Sequence, residues 1–311
     1  MKIKACTLLV LMSVALSLEA EPILYGKFFI TMESQEAVSG TEVDIVSNGS
    51  LLGLKGFMDL DKGLEAIYQI EYEVDLVDGT ADELKERTLK QRNSFVGLKG
   101  SFGTFFLGNH DTALKQSQAK VDLFNNLVAG DIGNILHGEN RMTDFVGYTT
   151  PTSNGGLSAT FNAIKGTETG NNSLGDSTSI SLNYATRSFY AAISVDSELK
   201  GYDTTRVTLQ IPFKRTQLGF IFQDTKEIIT RTYESGHVIS LSHKIGEKGT
   251  FKYQITESDM KVSSGKQITI GYDFQISKKT KAFFFLTDLS SDNKSKEKQK
   301  EIAAIGFDYK F

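Results

Sequence analysis

Cysteine occurs once in the 311 residues, tryptophan not at all, proline three times and histidine four times. One cysteine excludes a disulfide framework and any cysteine-based metal site. So few prolines leave backbone donors free, as a chain made mostly of paired strands requires. The histidines are His110, His137, His237 and His243, and none stands in a recognisable catalytic motif. Were His237 and His243 on one strand, six residues would hold them about 20 Å apart, too far to share a metal ion. No Gly-x-Ser-x-Gly elbow occurs. The expectation is therefore no enzyme, no metal and no cofactor. No apolar run reaches the length of a transmembrane helix. Charge is balanced, with 34 Lys and Arg against 38 Asp and Glu, which gives no reason to expect nucleic acid as a partner. Mean hydropathy is −0.20. A slightly negative value is compatible with a membrane barrel, in which only every second strand residue meets lipid.

What is present begins at the N-terminus. Met1-Lys2-Ile3-Lys4 is basic, residues 5–18 are apolar, and Ala20 precedes Glu21-Pro22. A basic start, a short apolar core and a small residue before the cut describe a secretory signal over residues 1–20. Cys6 lies inside it, so the expected mature chain, 21–311, has no cysteine. Removing Lys2, Lys4 and Glu19 moves the formal charge from −4 to −5 (−4 − 2 + 1).

Residues 64–75 alternate without a break: Leu64, Ala66, Tyr68, Ile70, Tyr72 and Val74 against Glu65, Ile67, Gln69, Glu71, Glu73 and Asp75. A period of two over twelve residues is a strand with one apolar and one polar side. The same pattern recurs at 157–163, 179–184, 204–213, 251–256 and 267–277, and more weakly at 24–30, 189–196, 218–223 and 239–245. Residues 141–150 and 281–287 have strand composition with no legible phase. Seven short turns alternate with eight longer polar connections, taken at 35–49, 77–86, 109–140, 166–176, 197–203, 225–235, 257–265 and 289–299. That count gives sixteen strands. Short turns on one rim and long loops on the other are the plan of an outer-membrane barrel. A soluble sandwich also alternates, but clean runs of ten to twelve residues match a tilted crossing of a bilayer better. Tyr72, Tyr184, Tyr272 and Tyr309 suit an aromatic girdle at the lipid headgroups. The expected fold is all-β: a transmembrane antiparallel barrel of about sixteen strands.

The chain ends Ile305-Gly306-Phe307-Asp308-Tyr309-Lys310-Phe311. This alternation, with Tyr309 and a terminal Phe311, resembles the segment that outer-membrane proteins present to the barrel-assembly machinery. Leu24-Tyr25-Gly26-Lys27, residues 47–56 (SNGSLLGLKG), residues 61–69 (DKGLEAIYQ) and residues 91–98 (QRNSFVGL) resemble the general diffusion porins of Gram-negative bacteria. The resemblance implies an outer-membrane homotrimer, in contact with lipid, that passes ions and small hydrophilic solutes by passive diffusion. It also implies that the third long loop, here 109–140, folds into the lumen and narrows it. A free-standing loop that long is uncommon in a compact domain unless it has a function. By the same resemblance Lys90, Arg92 and Arg141 match a basic wall ladder, with Lys27 and Lys55 on inward phases. Acids of the loop (Asp122, Asp131, Glu139) are expected to face that ladder, and which of them does so is open. Leu51 stands where many members carry arginine, and Leu127-Val128-Ala129-Gly130-Asp131 replaces the family's common Pro-Glu-Phe-Gly. Glu65, Glu71, Glu73 and Asp75 are expected as lumen acids. The resemblance further implies that residues 77–86 latch neighbouring protomers. The alternatives are a solute-specific channel, or a barrel serving mainly as a structural protein, adhesin or phage receptor.

Overall fold

The computed structural model describes residues 22–37, 40–77, 89–166, 172–260, 265–291 and 300–311. The signal segment, nearly all of 77–86 and the lysine-rich run at 294–299 lie outside the described residues. Eighteen strand segments follow in order: β1 (Ile23–Ala37), β2 (Gly40–Ser47), β3 (Leu51–Asp59), β4 (Glu65–Val74), β5 (Leu89–Gln91), β6 (Ser94–Gly100), β7 (Gly103–Asp111), β8 (Arg141–Thr149), β9 (Leu157–Lys165), β10 (Leu174–Ala185), β11 (Tyr190–Leu199), β12 (Tyr202–Phe213), β13 (Thr216–Glu227), β14 (Tyr233–Ile245), β15 (Gly249–Ser258), β16 (Gly265–Gln275), β17 (Thr280–Ser291) and β18 (Lys300–Lys310). β2 and β3 both pair with β1, and β5 and β6 both pair with β4. Each of these couples is one interrupted stave, so the barrel has sixteen (18 − 2), as the sequence count gives. β18 returns to β1 in antiparallel register, from Lys27 opposite Lys310 to Gln35 opposite Ile302. Closure leaves no free edge, the condition for a sheet in lipid.

The two faces separate as the period-two runs require, and the apolar one is on the outside. On β9 and β10, Leu157, Phe161, Ile180 and Leu182 are exposed, while Thr160, Asn162, Ser179 and Ser181 are buried. A soluble sandwich buries the opposite set. Buried apolar residues do exist, but they lie on the polar face, in clusters built around residues 113–136. A third cluster, Phe106, Met142, Phe145, Ile164 and Leu199, occupies the same face.

Some expected loops are strand instead. Residues 35–49 are largely β1 and β2, and 197–203 shrinks to a turn at Lys200 and Gly201 between β11 and β12. Beyond the apolar band both sides of a strand meet water. The alternation fades there while the hydrogen-bond ladder continues, and polar strand ends read as loop.

Candidate pore constriction

The connection between β7 and β8 starts with a short helix, α1 (Ala113–Ser117), whose Thr112 cap accepts from the Lys115 amide at 3.2 Å. From there the chain spends its backbone groups on wall side chains. The Ala113 amide donates to Asn162 Oδ1 (2.7 Å), Leu114 to Ser179 Oγ (3.0 Å), Lys120 to Gln210 Oε1 (3.1 Å) and Leu123 to Gln254 Oε1 (2.8 Å). Gln267 Nε2 donates to the Gly130 carbonyl (2.9 Å), and the Val128 amide donates to Asn48 Oδ1 (2.9 Å). These acceptors and donors belong to β9, β10, β12, β15, β16 and the break between β2 and β3. Leu114, Val121, Phe124, Leu127, Ile132, Ile135 and Leu136 are buried in the same contacts. Each such side chain is worth about 1.5–3 kcal/mol when fully removed from water. Packing of this kind makes the segment part of the wall rather than a free loop.

The dock at β2/β3 depends on Gly49, whose φ is +61°. That conformation favours glycine, and it interrupts the stave so that Asn48 can turn toward Val128. Asn48 Nδ2 also donates to Thr31 Oγ1 at 2.6 Å, and Ser50 Oγ accepts from the Phe29 amide at 2.9 Å.

Arg92 is the meeting point of wall and segment. Its Nε lies 3.0 Å from Glu71 and Nη1 2.7 Å from Glu73, while Nη2 donates to Asn126 Oδ1 at 3.2 Å. Tyr25 Oη donates to the other Glu71 oxygen at 2.9 Å. Arg141 Nε is 3.1 Å from Asp111 and 2.9 Å from Asn93 Oδ1, and Lys115 Nζ is 3.4 Å from the same Asp111. Lys55 lies over the Tyr25 ring at 5.0 Å, and Lys27 over Phe29 at 4.4 Å. Lys90 is exposed, in register with Glu73. Glu65 pairs with Lys99 at 3.0 Å, and Asp75 accepts from the Val77 amide at 2.9 Å.

The three segment acids have other partners. Asp122 accepts from the Phe124 and Ile132 amides and from Asn125 and Gln254 side chains. Asp131 caps the single turn Ile132–Asn134, accepting from Gly133 (2.7 Å), and takes the Asn126 amide at 2.8 Å. Glu139 pairs with Arg206 of β12 at 2.8 Å. Among the described residues, none of the three forms an ion pair with Lys90, Arg92 or Arg141. Burial, reinforced by Asp131 and Glu139, pushes the Asp122 carboxyl well above the ordinary aspartate range. Burial also raises Glu139, against the opposing pull of Arg206.

Arg206, Lys252 and Asp273 lie on polar faces that the alternation exposes, yet nothing in the sequence marks them as site residues. Lys252 Nζ donates to the Leu123 carbonyl at 3.1 Å and pairs with Asp273 at 3.1 Å. Asp273 also meets Lys281 at 2.8 Å, and Lys281 lies 3.8 Å from Asp308. Lys281 escapes a sequence reading because its strand has no clear phase: Phe283 and Phe285 are buried on one face while Phe284 and Leu286 are exposed on the other.

Residues 5–294 match the family model described as Gram-negative porin. Among curated proteins, the major outer membrane protein P.IA of Neisseria meningitidis serogroup C is 30% identical over 170 residues, 48% of this chain and 42% of that protein. The P.IB protein of Neisseria lactamica is 27% identical over 225 residues, 66% of this chain and 64% of that one. The matched stretches thus span less than two thirds of these relatives' own lengths. Of solved structures, an anion-selective porin from Comamonas acidovorans superimposes with a TM-score of 0.78 at 23% identity, covering 94% of this chain and all of that one. Salmonella typhi OmpF, solved in complex with daunomycin, gives 0.74 at 15% identity, covering 94% and 98%. A closed sixteen-stave barrel, apolar outside and polar inside, and a family match over nearly its whole length lead to one conclusion: the chain belongs to the Gram-negative porin family, as an outer-membrane β-barrel.

Proposed function

We propose that this protein is a water-filled channel for passive diffusion of ions and small hydrophilic solutes across the outer membrane. The observation that carries this reading is the docking of residues 112–140 to polar-face groups spread over much of a closed sheet. One short segment reaches staves so far apart most simply from inside the tube. A sixteen-strand barrel is wide enough to hold an aqueous channel, and a segment fixed inside it sets the size limit. Arg92, Arg141, Lys27, Lys55 and Lys90 then line the remaining opening. Asp122, Asp131 and Glu139 serve it indirectly, by holding the segment in place. Opposed unit charges about 10 Å apart in water interact by only about 0.4 kcal/mol, enough to bias passage without trapping a solute.

The family supports a homotrimer, cleavage of residues 1–20 on export, and reading of Phe311 and Tyr309 by the assembly machinery. Planar-bilayer recording of refolded protein tests the channel. Discrete ohmic steps arriving in threes are expected. A protein that folds into a heat-modifiable barrel but gives no steps refutes the channel and leaves a structural or adhesive barrel.

A further inference from the structure

Two staves on one side of the barrel break register with their neighbours. Between Met142 and Phe145, β8 carries Thr143 and Asp144 against the single residue Asn109 of β7. Nearby, β10 shifts on β9 between Leu174 and Ser177. A bulge bends its strand and re-aims a side chain. Here it gives Asp144 a φ of +50°, outside the ladder conformation. The β8–β9 ladder ends at the couple Phe145 and Ile164, one step short of Asp144 and Lys165. Opposite charges at such a couple attract each other. Among the described residues, however, neither Asp144 nor Lys165 forms an ion pair. By contrast, the outward-facing Glu257 of β15 meets Lys266 at 2.7 Å and His237 at 3.6 Å.

Between the two breaks lies a groove of about 440 Å³ on the lipid-facing side. Leu107 and Val146, opposite each other on β7 and β8, and Leu174 of β10 make its apolar lining. Leu107 and Leu174 are exposed, so nothing within the chain covers that lining. Asp144 and Lys165 supply its two charges. On β9 the outward apolar run over 157–163 ends at Lys165, and on β8 the run from Tyr148 through Val146 ends at Asp144. This end of the staves carries the long connections 112–140 and 166–173. It is therefore the extracellular rim, where acyl chains give way to headgroups.

We propose that this groove binds an outer-leaflet glycolipid whose phosphate carries ethanolamine. An acyl chain lies on Leu107, Val146 and Leu174, the phosphate meets Lys165 and the terminal ammonium meets Asp144. Two opposite charges beside an apolar floor complement a zwitterionic head on a greasy tail, whereas a bare phosphate satisfies the lysine alone. The inference rests on the barrel's place in the outer membrane and is independent of whether the lumen conducts. Native mass spectrometry of the refolded full-length chain tests it, with lipid A bearing phosphoethanolamine and unmodified lipid A offered in equal amounts. Wild type is expected to retain the modified form about two- to fivefold more, the size of preference that one exposed ion pair supports. Asp144→Asn removes the charge and keeps a residue that tolerates left-handed backbone. It is expected to bring the ratio to one while unmodified lipid A is retained as before. Lys165→Gln is expected to lower retention of both forms. Heat-modifiable migration on gels verifies that each variant is folded. Equal retention in wild type, or a preference that survives Asp144→Asn, overturns the proposal. Retention of both forms undiminished in Lys165→Gln places the phosphate elsewhere and overturns the site.

Discussion

Arg206 of β12 lies wholly enclosed, its Nη1 2.8 Å from Glu139 Oε1 and its Nη2 3.2 Å from the His137 carbonyl. Its Nε donates to Gln223 of the neighbouring stave at 2.8 Å, and Nη1 reaches the Leu114 carbonyl at 3.5 Å. One guanidinium therefore ties the start and the end of the 112–140 segment to the wall. Replacing it with methionine leaves Glu139 buried and unpaired, a change that typically costs 3–5 kcal/mol. Arg206→Met is expected to lower the barrel's melting temperature and increase amide exchange in residues 113–139. Glu139→Gln in the same chain is expected to restore most of the loss, because no charge is then stranded. Hydrogen exchange with mass spectrometry checks both, and a double variant no better than the single one contradicts the ion-pair account.

Asp122 gives the segment a pH dependence. Its carboxyl titrates above the ordinary aspartate value of 3.8 because it is buried and sits near Asp131 and Glu139. A folded-state pKa raised in this way stabilises the protonated form. The contribution is complete below the unfolded value and is lost as pH rises through the folded one. Segment amides around 122–132 are expected to be better protected at pH 4 than at pH 8, after correction for intrinsic exchange. Asp122→Asn, which cannot ionise, is expected to flatten that difference. Equal pH dependence in the variant assigns the effect to another group.

The segment's position explains what the sequence conceals as well as what it reveals. Staves exposed to lipid on one side and water on the other, such as 157–163 and 179–184, are legible from alternation alone. Alternation fails where the 112–140 segment presses apolar groups onto the polar face. Ile221 and Val238 pack against Val121, Ile132 and Ile135, and Phe29, Phe283 and Phe285 pack against Phe124 and Leu127. Local pattern registers an apolar residue on each face and cannot tell which neighbour covers it. Cations are similarly half legible: the family resemblance puts Arg92 on the wall, and phase puts Lys27 there on the same face as Phe29 two residues along β1, but the pairing of Arg92 with Glu71 depends on strand register. Gln254, the wall partner of Asp122, and Arg206, the partner of Glu139, lie more than sixty residues away in sequence, on staves whose heights only the closed barrel defines.

Gly49 is expected to matter for the position of Arg92. A Cβ there lies 3.3 Å from Asn126 Oδ1 and 3.4 Å from Arg92 Nη1, at a φ of +61° that a side chain adopts reluctantly. Gly49→Ala combines backbone strain, typically 1–3 kcal/mol, with crowding at the Arg92–Asn126 contact. A modest loss of thermal stability is expected together with increased single-channel current noise, since the Asn48–Val128 dock adjoins the same turn. Gly63, whose φ is also positive but which has no neighbour within 4 Å of an added Cβ, serves as the control. Its alanine variant carries comparable strain without the noise.

The seam between β1 and β18 offers the sharpest mutational test. Gly26 exchanges backbone hydrogen bonds with Phe311, at 3.3 and 3.1 Å. A side chain on Gly26 runs into the Phe311 ring, which also packs against Phe28 at 5.2 Å and Tyr309 at 6.0 Å between centroids. The glycine thus makes room on the lipid-facing side for the last aromatic of the chain. Gly26→Val is expected to displace that ring, slow closure of the barrel during refolding into detergent and lower the temperature at which the folded form unfolds on gels. Phe311→Ala alone removes aromatic contacts without a clash, and the seam hydrogen bonds remain. If the valine acts by collision, the double variant loses less than the sum of the two single losses, because the colliding ring is gone. Additive losses instead place the effect of valine in the backbone of β1.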